Sequence, residues 1–471
     1  MEPKSIAHNT AWMTVSSIGQ KIISFAYFTI IARSIGAENT GKYFFAMSFA
    51  TIFVVFCDLG LTNVLVRESA KDKTKSQDYF STVLWTKIVL SILTYLAAFV
   101  AINLMHYPIE TKHLVYLACV TMLFDTMHLS IYGILRVFGN LRYEAVGAVS
   151  SQLITMILGT TFLYLRLPLI YLILAFTIPS FLNMCYAGTI LFKKNQIRIW
   201  PKWDSAIFKF LFIIAVPFAL TSIFTRVYGY VDSVMLSKLA GNEALGWYSI
   251  PYKITFAFQF IPFALTASLF PRFSNYFVTD KDKLARVFEQ SIKYLFLVVM
   301  PIAVGIIVLA HDLIIKIFTI EYVNSIAPLK ILMLSLIFTF LAAPVTVLLN
   351  ACDRQKIQTA IIGFVMIANI IANFFLIPRF GVVGAAFAGL LGNFLLFVLA
   401  YGFVRKIAQI SHVYLIKTAF QVIIAAGVMG LGVWWVDKMT NFIFAIIAGA
   451  IIYAVMVLLT RAIKFSELKI L

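Results

Sequence analysis

Charged residues are scarce in this chain of 471 residues. Asp, Glu, Lys and Arg together make up 12% of the sequence, whereas hydrophobic residues make up 62%. Soluble domains contain roughly 25% charged and 45–50% apolar residues. The shortage of charge excludes an ordinary soluble fold, because no such fold of this length could bury that much apolar surface. It predicts an all-α membrane protein that is surrounded by lipid.

Cysteine is also rare and follows no pattern. Four cysteines stand in or next to apolar runs, without CxxC spacing: Cys57, Cys119, Cys185 and Cys352. Metal sites and disulfide frameworks show characteristic spacings that are missing here. We expect these cysteines to serve in packing, and the sequence predicts neither a metal site nor a disulfide.

Catalytic motifs are absent as well. The chain has no nucleophile elbow, no phosphate-binding glycine loop and no HExxH helix, and an active site needs at least one constellation of this kind. Between the apolar runs no segment exceeds about 20 residues, which leaves no room for a soluble catalytic domain. We expect a protein that is not an enzyme, with no catalytic residues and no cofactor.

What the sequence does contain is a succession of long apolar runs. Most have about 18 to 27 residues, and the run at 207–237 has 31, which is enough for a helix to cross a hydrocarbon core of roughly 30 Å. The first run contains Gln20 and Lys21 and lacks a small-residue cleavage site, so it is predicted to be a retained helix and not a signal peptide. About fourteen spans are predicted, at 10–33, 41–65, 82–105, 113–135, 144–165, 168–192, 207–237, 246–270, 288–310, 326–350, 357–378, 381–404, 413–436 and 441–460.

Basic residues are distributed unevenly between the two sides of the predicted membrane. The termini and the connections on their side hold 24 Lys and Arg, and the opposite connections hold 9. Cytoplasmic loops of membrane proteins carry the excess of positive charge. Both termini are therefore expected in the cytoplasm and the protein in the cytoplasmic (inner) membrane. The net charge of +18 then reflects topology, and we expect no nucleic acid partner.

An internal repeat relates the two halves of the chain. A shift of 205 residues aligns the motif G-x-E-x-x-G-x-Y at Gly36–Tyr43 with Gly241–Tyr248. Six helices per repeat return the chain to its starting side, so the two repeats run in parallel, an architecture that transporters use. We expect an N-lobe at 1–200, a C-lobe at 201–406, and two further helices with a cytoplasmic tail at 407–471.

Several segments resemble a known family. ARSIGAENTGKYFFAMSFATIF followed by FCDLGLTNVLVRE is similar to the opening hairpin of the polysaccharide transporter family. This is the O-antigen flippase type of the multidrug/oligosaccharidyl-lipid/polysaccharide exporter superfamily. YVDSVMLSKLAGNEALGWYSIPYKI, LLNACDRQK and IANFFLIPRFGVVGAAFAGL resemble later helices of that family.

The resemblance implies both a fold and a function. The expected fold is a V-shaped pair of six-helix lobes that alternates access to a central cavity. The expected function is the outward transfer of a polyprenyl-diphosphate-linked oligosaccharide for surface polysaccharide biosynthesis. The expected partners are this substrate, membrane lipid and glycan polymerases.

Two cations in the predicted spans are candidate substrate ligands. The 205-residue shift places Lys21 on Arg226, near the middle of the first helix of each repeat. A charge in the hydrocarbon region costs from a few to more than ten kcal/mol unless it has a cavity or a partner. A guanidinium can bind a diphosphate through two parallel hydrogen bonds. Polar residues on the same helix faces complete the candidate site: Gln20, Ser17, Ser222 and Thr225. The alternative is that each cation only forms a structural ion pair.

Two more charge pairs are predicted from matched depths in adjacent helices. Asp232 and Lys253 lie near the outer ends of their spans, where a pair would be either a latch of the outer gate or a structural bridge. Asp58 and Lys87 are matched in the same way near the cytoplasmic side. Both pairs are therefore candidates for a gate or an ion pair.

One polar pair is a candidate for ion coupling. Asp125 and His128 stand at i and i+3 in the fourth span, so they share one helix face. Histidine changes charge near neutral pH, and the pair is a candidate for binding a coupling proton or sodium ion. A polar pair without that role is the alternative.

Two other functions compete with the transport of a lipid-linked sugar. A multidrug/ion antiporter of the same superfamily would favour carboxylates in its cavity, and Lys21 and Arg226 argue against it. A membrane-embedded glycan polymerase or ligase would need a large outward loop. The longest outward segment, 311–327, is short and mainly apolar.

Overall fold

The structure is a computed structural model that describes the backbone of residues 3–463 and the side chains of residues 15–463. Across this part of the chain the regular structure is entirely helical, as predicted. The α-helices in chain order are α1 Pro3–Asp58, α2 Leu61–Lys71, α3 Ser76–Leu104, α4 Ile109–Val137, α5 Leu141–Tyr164, α6 Ile170–Asn195, α7 Ser205–Ala240, α8 Asn242–Phe258, α9 Phe260–Thr279, α10 Lys281–Leu313, α11 Ile326–Ala351, α12 Gln355–Val404, α13 His412–Met439 and α14 Phe442–Leu459.

The first helix, α1, is a helical hairpin and not one straight helix. Phe28 and Phe44 would lie about 24 Å apart along a straight helix with a rise of 1.5 Å per residue, yet their ring centroids are 6.4 Å apart. The chain reverses at Gly36, whose φ of 74° and ψ of 173° lie in a region that essentially only glycine adopts.

The helix α12 folds back in the same way at Gly381, which has φ 54° and ψ −127°. A Cβ atom built on Gly384 would lie 2.3 Å from the carbonyl oxygen of Leu376. Eight residues of straight helix would instead separate these two residues by about 12 Å. The absence of a side chain at Gly384 lets the two limbs approach this closely.

Twelve helical segments of the described chain are long and apolar enough to cross a membrane. About fourteen spans were expected because each of the two hairpins contains two apolar runs, and fourteen crossings stays a prediction. Two of the predicted spans are interrupted. The span 41–65 ends at Asp58, before a break at Leu59 and Gly60, which both have positive φ. The span 246–270 is divided at Gln259, between α8 and α9.

The helices form two compact units, unit 1 with Met1–Gly246 and unit 2 with Trp247–Leu471. In unit 1, α4 packs on α6, and α1 packs on α4, α5 and α7. In unit 2, α11 packs on α10 and α12, and α13 packs on α10 and α14. The lobe boundaries at residues 200 and 406 stay a prediction.

The repeat seen in the sequence is also visible in the backbone. Gly241 has φ 93° and ψ 169°, close to the values of its repeat partner Gly36. Tyr43 and Tyr248, which the same shift aligns, are both buried. The two halves therefore share local conformation as well as sequence.

The four cysteines differ in their exposure. Cys57, Cys119 and Cys352 are buried, whereas Cys185 is exposed. The expectation of a packing role is wrong for Cys185, which lines an apolar surface hollow of about 680 Å³ in unit 1.

Candidate functional site

The segments Gly36–Tyr43 and Gly241–Tyr248, called the glycine loops below, each consist of a backbone turn and the start of the helical limb that follows it. They pack directly against each other. A Cβ atom built on Gly41 would lie 1.7 Å from the carbonyl oxygen of Asn242, and one built on Gly246 would lie 1.9 Å from that of Ala37. The repeat aligns Ala37 with Asn242 and Gly41 with Gly246, so each glycine meets the same position of the opposite loop. Only glycine permits backbones to come this close.

Polar contacts adjoin this glycine contact at Asn242. The hydroxyl of Tyr107, in the loop between α3 and α4, donates to Ser237 Oγ at 3.0 Å, and Ser237 donates to Asn242 Oδ1 at 2.7 Å. Lys238 Nζ donates to the carbonyl oxygen of Met105 at 2.6 Å and lies 5.4 Å from the centroid of the Tyr107 ring. Burial raises the pKa of Tyr107 to about 12, so its hydroxyl remains a donor at neutral pH.

The N-terminal half of α7 also contacts the first repeat. A Cβ atom built on Gly60 would lie 2.8 Å from the Cβ atom of Phe218. Leu211 and Ala215 are buried in one cluster with residues of α2, α3 and α4. This contact lies on the side that is predicted to be cytoplasmic. Between the two contact regions, Thr225 and Arg226 on α7 are exposed.

The predicted substrate ligands lie on α1 and on the middle of α7, all within unit 1. Ser17, Thr225 and Arg226 are exposed, whereas Gln20, Lys21 and Ser222 are partly buried. A Cβ atom built on Gly19 or on Gly229 would meet nothing within 4 Å, so open space adjoins both polar stretches. Substrate binding by these six residues stays a prediction.

The structure brings Asp58 and Lys87 together. Lys87 Nζ lies 2.7 Å from Asp58 Oδ1, and the Lys87 side chain is fully buried. The same ammonium donates to Thr62 Oγ1 at 3.0 Å, to the carbonyl oxygen of Thr126 at 2.7 Å and to Ser130 Oγ at 2.7 Å. These three additional partners are uncharged, and the pattern of charges in the sequence did not point to them.

The other predicted pairs are less closely joined or lie in different units. His128 Nδ1 lies 3.7 Å from Asp125 Oδ1, which is too long for a hydrogen bond. Among the described residues no group of three His, Cys, Asp or Glu side chains could hold a metal ion. Asp232 belongs to unit 1 and Lys253 to unit 2, and their pairing stays a prediction.

Comparisons with known proteins agree with the helical repeat architecture. The family model described as polysaccharide biosynthesis protein matches residues 6–277, more than half of the chain. The MatE family model matches residues 217–375. Among solved structures, the lipid II flippase MurJ in an inward closed conformation matches with a TM-score of 0.78 and 16% identity over 94% of this chain and 97% of that one. An inward-facing multidrug resistance MATE family transporter matches with a TM-score of 0.69 and 14% identity over 84% of this chain and 98% of that one.

Sequence relatives cover more than four-fifths of the chain. The capsular polysaccharide biosynthesis protein CapF of Staphylococcus aureus is 22% identical, over 85% of this chain and 99% of its own length. A Shigella flexneri protein that is provisionally named an O-antigen transporter is 23% identical, over 81% of this chain and 93% of its own length. This chain belongs to the polysaccharide biosynthesis protein family.

Proposed function

We propose that this multi-pass membrane protein moves a lipid-linked oligosaccharide from the cytoplasmic to the outer leaflet of the cytoplasmic membrane. The proposal rests on the family, on relatives named for capsular polysaccharide biosynthesis and O-antigen transport, and on a fold similar to that of a lipid II flippase. We infer a transporter and not an enzyme, with both termini in the cytoplasm and no nucleic acid partner.

The observation that carries the mechanism is the symmetric contact between Gly41 and Gly246. It joins the first repeat to the second on the side that is predicted to face outward. Packed interfaces switch between discrete arrangements and do not deform continuously. A close contact between backbones is therefore suited to act as a gate. We infer that the substrate is released outward when this contact separates, and that it enters when the contact of Gly60 with Phe218 separates. The predicted pair of Asp232 and Lys253 would support the same outer gate.

The substrate class follows from Lys21 and Arg226. Positive charge in the membrane interior favours an anion, and a diphosphate presents oxygens that a guanidinium binds through two hydrogen bonds. The membrane potential favours export of such a dianion by roughly 4–5 kcal/mol per 100 mV. Ion coupling at Asp125 and His128 would add to this driving force. Glycan polymerases are the expected partners, because they use the exported sugar.

A multidrug antiporter is the second candidate function, and the fold similarity to a MATE family transporter is the observation that favours it. Cationic drugs would be repelled by Lys21 and Arg226. Glycan polymerase or ligase activity has no comparable support in the described residues.

The test is complementation of a strain that lacks its own flippase for a lipid-linked surface glycan. The strain carrying this protein is scored for surface glycan and, in parallel, for resistance to cationic drugs. We expect restored glycan and unchanged drug resistance. Drug resistance without surface glycan would contradict the proposal and support the antiporter.

A further inference from the structure

The ammonium of Lys87 has an unusually complete set of oxygen partners. Four oxygens lie 2.7–3.0 Å from Nζ, although an ammonium has only three protons to donate. They comprise one carboxylate oxygen, two hydroxyl oxygens and one carbonyl oxygen. A simple ion pair with Asp58 needs only the first of these.

The position in the fold also suits a cation. Asp58 is the last residue of α1, and the chain is broken at Leu59 and Gly60 before α2 begins. The C-terminal end of a helix carries partial negative charge, and broken helices supply oxygen ligands to monovalent cations in transporters. Asp58 also accepts hydrogen bonds from the backbone N–H and the hydroxyl of Thr62, which fixes the carboxylate toward Lys87.

We propose that these oxygens form a monovalent-cation site that is filled by the protein's own ammonium. The site consists of Asp58 Oδ1, Thr62 Oγ1, Ser130 Oγ and the carbonyl oxygen of Thr126. Oxygen distances of 2.7–3.0 Å suit potassium or an alkylammonium better than the smaller sodium ion. In the natural protein no free cation is needed here, because Lys87 occupies the site.

The inference is independent of the transported substrate, since it concerns only four residues around one side chain. The carboxylate is 26% exposed, whereas Lys87 is completely buried behind it. Shortening the lysine therefore opens a route past Asp58 to an empty site that retains its negative charge. A small cation should then enter and restore the lost stability.

The test uses the purified Lys87→Ala variant and its melting temperature. Chlorides of methylammonium, potassium, sodium and choline are compared at equal ionic strength. We expect Lys87→Ala to melt several degrees below the natural protein in choline. Its melting temperature should rise saturably with methylammonium or potassium, and less with sodium, because a ligand that binds only the folded state stabilises it.

Two controls separate the site from general effects of salt and packing. Lys87→Met keeps most of the alkyl volume without the charge, so it should be destabilised but not rescued by any cation. The natural protein should show no difference among the four salts. A cation response in the natural protein equal to that of Lys87→Ala would overturn the proposal, because the cations would then act elsewhere.

The melting temperatures of Lys87→Ala alone can also contradict the proposal. Equal melting temperatures of folded Lys87→Ala in all four salts would mean that the oxygens do not form a cation site. If Lys87→Ala yields no folded protein in choline, it is expressed and purified throughout in methylammonium chloride. Recovery of folded protein only with methylammonium supports the proposal, and no recovery contradicts it.

Discussion

Gly41 and Gly246 occupy equivalent positions in the two repeats, and each lies against the backbone of the loop that carries the other. The carbonyl oxygens of Asn242 and Ala37 occupy the space in which a side chain at either glycine would lie. A sequence repeat thus becomes a symmetric contact between two loops. This contact gives the proposed outer gate a defined closed state.

The first prediction concerns these glycines. Gly41→Ala or Gly246→Ala should prevent the close contact, because the new Cβ atom overlaps with backbone. Overpacking costs about 1–3 kcal/mol, which shifts an equilibrium between closed and open states by roughly 5–150-fold. The measurement is the rate at which an impermeant reagent added outside labels the Ser222→Cys variant, in a background without the four native cysteines. This rate should rise when either glycine is replaced.

A matched control for these variants is Gly427→Ala in α13, where a Cβ atom meets nothing within 4 Å. It should leave labelling and export unchanged. If Gly41→Ala and Gly246→Ala label at the rate of this control, the loops do not form the gate.

The second prediction concerns the polar contacts beside the gate. Tyr107→Phe and Ser237→Ala each remove the hydrogen bond between these two residues, which is worth roughly 1 kcal/mol. Each variant should increase outside labelling of the same cysteine severalfold, and the double variant should add little to the larger single effect. The two single variants and the double variant form a double-mutant cycle. If their effects on the labelling rate are fully additive, the two hydroxyls act separately.

The third prediction concerns the two cations. Arg226→Ala and Lys21→Ala should each abolish glycan export while folded protein remains in the membrane. Arg226→Lys should be partly active, because a point charge replaces a bidentate donor. Lys417→Ala, which removes an exposed lysine from α13, is the control and should export normally. Normal export by the Lys21→Ala, Arg226→Ala double variant at equal protein level would exclude a cationic substrate site.

The fourth prediction concerns topology. Thr74 and Thr279 should face the cytoplasm, and Glu38 and Thr440 should face outward. The reason is that most Lys and Arg residues lie in the connections on the side of Thr74 and Thr279. All four positions are exposed and suit single-cysteine labelling in the cysteine-free background. Labelling of a cysteine at position 279 from outside would show that the topology is the reverse of the predicted one.

The helical fold and the repeat could be predicted from sequence because both depend on local pattern. Apolar runs of membrane length are visible without tertiary information. Gly36 and Gly241 are aligned by the repeat, and both adopt a backbone conformation with positive φ. The sequence also placed Asp58 and Lys87 at matching depths, and the structure joins them at 2.7 Å.

Features that depend on contacts between helices could not be predicted in this way. The break after Asp58 falls inside an apolar run, and it is accompanied by hydrogen bonds from Thr62 to the carboxylate. Thr126 and Ser130 contact Lys87 from another helix. Their i, i+4 spacing in the sequence indicates only that they lie on the same face of that helix. The packing of Gly41 against the second loop likewise requires the folded chain.

The central claim is that this protein accelerates the transfer of a lipid-linked oligosaccharide across a membrane. The most direct measurement reconstitutes the purified protein into liposomes containing lipid-linked oligosaccharide isolated from cells that carry its gene. Transfer between leaflets is followed by the access of a soluble glycosidase to the sugar. We predict that the natural protein exposes the inner-leaflet pool within minutes, whereas the Lys21→Ala, Arg226→Ala variant does not. Equal rates in liposomes with the natural protein and in protein-free liposomes would contradict the account.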